Sequence, residues 1–176
     1  SLKPFIPSDK CQMAFIDNHL YIPQTINLRL GDKAVAESPV KVVIDTVENT
    51  VDALPMRFPP LITYKDIGTV GAFGAEYACC YDGNRFIYSF NADEDLYLTT
   101  PEHKLIEKKK AKSRYIESVA VFRSNEEDFQ KMVKAQCEHA SYGKILYDKY
   151  QRLYYRFAYP PCEIDDYNGD YIELLH

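Results

Sequence analysis

The groups in this 176-residue chain that could do chemistry are its histidines, its cysteines, a few clustered acids and a set of arginines and tyrosines. His19, His103, His139 and His176 are dispersed, and none stands at metal-ligand spacing from a cysteine or a second histidine, which argues against a zinc site. Cys137 and His139 are two apart on an expected helix and so point to different faces. The run Asp166-Tyr167-Asn168-Gly169-Asp170 resembles the start of a calcium loop, but its glycine is fourth rather than sixth and the sequence ends before a twelfth-position Glu. A turn built on Asn168-Gly169 fits better. Asp93, Glu94 and Asp95 read as a solvated turn. The sequence has no Gly-x-Ser-x-Gly elbow, no phosphate-binding glycine loop and no His-Glu-x-x-His. No metal, cofactor or catalytic residue is therefore expected, and nothing demands an enzyme.

Binding chemistry has better candidates. Arg114, Tyr115 and Arg156 flank the junctions between repeat units where loops converge, and are the expected ligand contacts. The alternative is that they only make hydrogen bonds between neighbouring sheets. Lys104, Lys108, Lys109, Lys110, Lys112 and Arg114 form the one basic run, interrupted by Glu107. On an edge strand such lysines block sheet-to-sheet aggregation, which explains them better than anion binding does. The cysteines number five, so at least one stays unpaired within the chain. Cys79 and Cys80 are adjacent in a strand-like run and point to opposite faces, so they cannot share a metal or easily bridge each other. Buried, inert thiols are the expectation.

What must position these groups is a repeat. Phe15 to Ile22, Tyr81 to Tyr88 and Tyr147 to Tyr155 share one pattern: an apolar strand end, a polar turn opened by aspartate, and a second strand rich in Tyr, Phe, Ile and Leu. Asp17, Asp82 and Asp148 are 65 and 66 residues apart. A hairpin recurring at a fixed period points to a solenoid or propeller. In the middle unit four strand-like runs follow one another, at 75–81, 85–91, 95–100 and 103–110. The first unit supplies 12–16, 19–24, 40–45 and 48–54, and the last 142–147, 151–158 and 170–175. The fold class expected is all-β: a partial β-propeller of three four-stranded antiparallel blades, at 11–55, 75–110 and an incomplete 142–176, in one segment spanning 1–176. Ser124 three residues before Glu127 is a capping box, and Phe129, Met132, Val133 and Cys137 follow at helical spacing, so one short helix is expected at 125–139 within an inter-blade loop. The turns opened by aspartate are short, whereas the connections at 25–39, 55–74, 111–141 and 159–169 are long and share one end of the scaffold. Long loops on a rigid scaffold are where binding residues concentrate.

Composition agrees and excludes two partner classes. With 46% hydrophobic and 27% charged residues the chain is globular, and 15 tyrosines and 9 phenylalanines favour strands over helices. A formal charge of −5 argues against a nucleic-acid partner. No apolar run approaches the roughly 20 residues of a membrane span. The first residues, Ser1-Leu2-Lys3-Pro4, lack a methionine, which suggests that a signal peptide or upstream domain has been removed. Because known propellers carry about four to eight blades, three units are expected either to belong to a longer chain or to pair as a homo-oligomer.

The runs Asp82 to Asp93, Ala111 to Ile116 and Tyr147 to Phe157 resemble a domain-of-unknown-function family of six-bladed, TolB-like β-propeller lipoproteins of gut Bacteroidetes, and the resemblance covers most of residues 11–160. It implies a cell-envelope location, a chain about twice this length, and no established activity or catalytic residue. The leading expectation is a non-enzymatic envelope scaffold that binds a protein or glycan ligand on its long-loop face. The alternatives are a glycan-active hydrolase or lyase, which needs two carboxylates about 5 to 10 Å apart, and a purely structural subunit. The lack of tryptophan weakens the glycan readings.

Overall fold

The computed structural model describes residues 11–25, 37–59, 76–119 and 128–162. The expected strand 170–175, the Asn168-Gly169 turn, His176 and the Ser124/Glu127 pair lie outside the described residues. Among the described residues ten strands form three antiparallel sheets, none of them closed. The first holds β1 (Ala14–Ile16), β2 (His19–Pro23), β3 (Lys41–Asp45) and β4 (Thr50–Ala53) in sequence order. The second holds β5 (Tyr77–Tyr81), β6 (Phe86–Phe90), β7 (Asp95–Thr99) and β8 (Leu105–Lys110), also in order. The third pairs β9 (Ser141–Asp148) with β10 (Leu153–Tyr159). The helix α1 (Phe129–Cys137) precedes β9.

The turns follow from their residues. Asp82 Oδ1 accepts the backbone N–H groups of Asn84 and Arg85, both at 2.9 Å, and Asp148 Oδ1 accepts those of Tyr150 (2.8 Å) and Gln151 (3.1 Å). Each carboxylate thus closes a turn on its own backbone. Asp45 does the same for Val47 and Glu48 between β3 and β4. The first hairpin is tighter: Asp17 (φ 47°) and Asn18 (φ 63°) are both left-handed, as a two-residue turn between Ile16 and His19 requires.

Helix α1 is shorter than expected and begins elsewhere. Its N-cap is Asp128, whose Oδ1 accepts from Gln130 N (2.9 Å) and Lys131 N (3.2 Å). A carboxylate cap is as good as a serine cap, and it lies closer to the apolar stripe.

Strand alternation sorts the core into two layers. Phe86, Tyr88 and Phe90 project from one face of β6 and pack with Val40, Cys11, Tyr77 and Tyr97, with Ile16 and Tyr21 of the first sheet against them. Ile87 of β6 projects the other way, with Leu96 and Leu98 of β7, onto Ile145 and Tyr154 of the third sheet. Both faces of the second sheet are therefore covered, and burying each of its large apolar side chains contributes roughly 1.5–3 kcal/mol. Strand β8, on the edge, is exposed throughout. Lys108 lies over the Tyr97 ring at 4.9 Å, and Lys110 and Lys112 pair with Glu94 at 3.2 and 3.3 Å. No described helix is long and apolar enough to cross a membrane.

Candidate functional site

Antiparallel order places the turns at 17–18, 46–49, 82–85, 100–104 and 148–152 at one end of the sheets, and the strand ends from which the longer connections leave at the other. At that second end a cavity of about 230 Å³ opens between the second and third sheets. The start of β5 contributes Glu76, Tyr77 and Ala78, and the link after β6 contributes Asn91. The last turn of α1 contributes Gln136, the start of β9 contributes Ser141 through Lys144, and the end of β10 contributes Tyr159.

Two tyrosines fix this end. Tyr77 and Tyr142 occupy the same place near the starts of β5 and β9, 65 residues apart, and both are buried. The Tyr77 hydroxyl donates to the Val40 carbonyl and accepts from Gln24 N at 3.2 Å, so it ties β5 to the connection between β2 and β3. Burial pushes the Tyr77 phenol well above its ordinary pKa, so it stays a neutral donor. The Tyr142 hydroxyl accepts from Ser113 N at 2.9 Å and so holds the connection after β8. Tyr142 N donates to Asn91 O at 2.8 Å, joining the two sheets directly. A Cβ at Gly143 would run into the Tyr159 ring, so the missing side chain lets that ring lie against β9.

The described lining offers one carboxylate, one ammonium, two amides and a serine hydroxyl among three tyrosines. Such a set can orient a polar ligand by hydrogen bonds while a ring face covers its apolar side. The volume is below the roughly 300–1,000 Å³ of pockets that enclose a drug-sized molecule, so it suits one unit of a longer ligand. A pair of carboxylates, as glycoside hydrolysis uses, is not among the described lining residues. Among the described residues no group of three or more His, Cys, Asp or Glu could hold a metal ion. A second cavity, of about 180 Å³, sits at the turn end between Ile16, His19, Tyr21, Tyr81 and Phe86.

The three residues expected to bind ligand have different surroundings. Arg114 and Tyr115 are exposed, with the guanidinium over the neighbouring ring at 4.7 Å and hydrogen-bonded to its hydroxyl. Arg156 is turned inward from β10 and stacks on the Tyr142 ring at 3.6 Å. Its guanidinium donates to Ser89 Oγ (2.9 Å) and to the carbonyls of Glu94 (2.9 Å), Ala111 (3.2 Å), Phe90 (3.1 Å) and Asp93 (2.5 Å). Desolvation lowers its pKa to about 10, which still leaves it charged at neutral pH. Arg156 and Tyr142 together pin the start of the segment that carries Arg114 and Tyr115. The cavity residues were missed because none belongs to a chemical motif. The signal available was the period itself, which repeats Glu76-Tyr77-Ala78 as Ser141-Tyr142-Gly143.

Comparison with known proteins supplies a family and a fold. The sequence model of a family described as Domain of unknown function (DUF4221) matches residues 6–173. The crystal structure of a member of that family from Bacteroides vulgatus is similar to this chain with a TM-score of 0.72 at 21% sequence identity, over 90% of this chain and 44% of that protein. The chain thus spans less than half the length of that relative. No curated protein sequence matches.

Proposed function

We propose that this chain, which belongs to the DUF4221 family, is part of a β-propeller of the cell envelope that serves as a binding scaffold and takes one unit of a protein or glycan ligand in the cavity between its second and third sheets. The observation that carries the reading is the cavity's placement: Glu76, Asn91, Gln136, Ser141 and Lys144 converge at the end of the sheets from which the longer connections leave. The propeller reading is supported by the order of faces. The second sheet turns Phe86 and Tyr88 to its predecessor and Ile87 and Leu98 to its successor, as a blade between two blades does. The envelope location rests on the family resemblance seen in the sequence. Binding is preferred to hydrolysis because the described lining carries a single carboxylate.

A glycan array and a pull-down with the full protein separate a glycan from a protein ligand. Glu76→Gln and Lys144→Ala should each weaken the captured ligand at least about tenfold, the scale of one charged hydrogen bond. Asp148→Asn, at the turn end, should leave binding as it is. Equal affinity of all three variants with the wild type would refute the site.

A further inference from the structure

The sheets at the two ends of the stack each leave an apolar face open. In the third sheet, Ile145 and Tyr154 pack toward the second sheet, so alternation turns Leu146, Leu153, Tyr155, Phe157 and Tyr159 away from it. Leu146 stands opposite Tyr155 in the register of β9 and β10, which joins the five into one face. Each of them is between 44% and 51% exposed. Single exposed apolar residues need no explanation, but five large ones on one sheet face mark a surface that another body covers. The first sheet has an open side as well. Ala14, Ile16 and Tyr21 pack toward the second sheet, and register places Phe15 beside Leu20, Leu20 beside Ile44 and Ile44 beside Val51 on the opposite side. Phe15 is 63% and Val51 38% exposed, while Leu20 and Ile44 are half-buried.

The two packed junctions define what each open face would take. In both, the side of one sheet that looks forward along the chain meets the side of the next that looks back: Ile16 and Tyr21 meet Phe86 and Tyr88, and Ile87 and Leu98 meet Ile145 and Tyr154. The open faces are one of each kind, since the third sheet shows a forward side and the first a backward side. The second sheet stands between them, so within one chain they do not meet. This chain matches 44% of the length of its structural relative, so two copies supply about what that single protein supplies. Twice three sheets also falls within the roughly four to eight blades that close a propeller. We infer that the outer face of the third sheet is the docking surface for the first sheet of a second copy of this chain, and that the reciprocal contact closes a ring of two copies. Reciprocity matters, because a head-to-tail contact that does not close grows into a filament. The inference rests on the propeller reading but not on the ligand assigned to the cavity. Its test reads association rather than ligand capture, so either can fail alone.

Sedimentation equilibrium of the full chain at micromolar concentrations is the test, and a dimer with no larger species is the expected result. Phe157→Glu on the third sheet and Phe15→Glu on the first should each raise the dimer dissociation constant about a hundredfold or more, because docking would bury an unpaired charge. Both positions are exposed in the single chain, so the far-UV circular dichroism of each variant should match the wild type. Tyr155→Glu, on the same face, takes the place of Phe157→Glu if that variant loses its spectrum. An equal mixture of the first-sheet and third-sheet variants should regain a dimer, since one of its two reciprocal contacts then has both faces intact. A monomeric wild type, open polymers, a dimer that survives Phe15→Glu, or a mixture that stays monomeric overturns the proposal.

Discussion

Replacing Arg156 by alanine removes the guanidinium that joins the third sheet to the second, and the structure lets the loss be worked through. Five hydrogen bonds disappear, one to Ser89 Oγ and four to backbone carbonyls. Two of those carbonyls keep another donor, since Phe90 O also accepts from Asp93 N and Glu94 O from Ala111 N. The cost therefore falls mainly on the carbonyls of Asp93 and Ala111, at roughly 1–3 kcal/mol for each buried acceptor left short of a partner. Stacking on Tyr142 adds about 0.5–2 kcal/mol. Part of the side chain remains open to water, which refills some of the vacated positions, so the expected loss is about 3 kcal/mol. Arg156→Lys should recover little of it, because an ammonium is a point donor and cannot span carbonyls on both sides of the planar fork. Urea denaturation followed by circular dichroism measures both variants, with Arg114→Ala as the exposed control expected within about 0.5 kcal/mol of wild type. A loss below about 1 kcal/mol for Arg156→Ala would refute the reasoning.

Two further outcomes follow from buried titratable groups. His103, fully buried in the turn between β7 and β8, stacks on Phe86 at 4.0 Å and meets the Tyr88 hydroxyl through Nδ1, while Nε2 has no hydrogen-bond partner among the described residues. Burial and then the nearby Lys41 lower its pKa to about 3, so it stays neutral in the fold but is protonated in the unfolded chain below about pH 6.5. Stability is thus present above pH 6.5 and is lost as pH falls toward 3, by about 1.4 kcal/mol per pH unit. Between pH 7 and pH 5, His103→Phe should flatten the dependence of the urea midpoint on pH, and an unchanged slope would exclude His103 as its source. For the hairpin turns, burial pushes the Asp82 carboxyl up, but hydrogen bonds from Tyr154, Asn84 and Arg85 outweigh it and hold its pKa below the ordinary value. Asp82→Ala should cost about 2 kcal/mol and Asp148→Ala, which loses two exposed backbone partners, about 1 kcal/mol. Equal losses in denaturant melts would mean that the bonds to Tyr154 and Arg85 contribute nothing.

The strands were legible because their determinants are local. An aspartate that closes a turn on its own backbone and a run of alternating Tyr, Phe and Ile need only neighbouring residues, so the ten described strands fall within a few residues of where periodicity places them. The order of strands within each sheet followed too, since each is joined to its neighbour in sequence. The site was less legible. Arg114 and Arg156 look alike in sequence, yet one lies on an exposed tyrosine and the other is fixed by five bonds to the neighbouring sheet. Cys79 and Cys80 are neighbours that alternation sends to opposite faces, but only the fold puts Cys79 in the core cluster shared with the first sheet and Cys80 in the one shared with the third. Alternation gives the face a side chain points to, and the tertiary structure supplies what lies opposite. Burial, electric field and hydrogen-bond partners all come from there, and those decide whether an arginine is stacked and bonded between sheets, as Arg156 is, or left exposed, as Arg114 is.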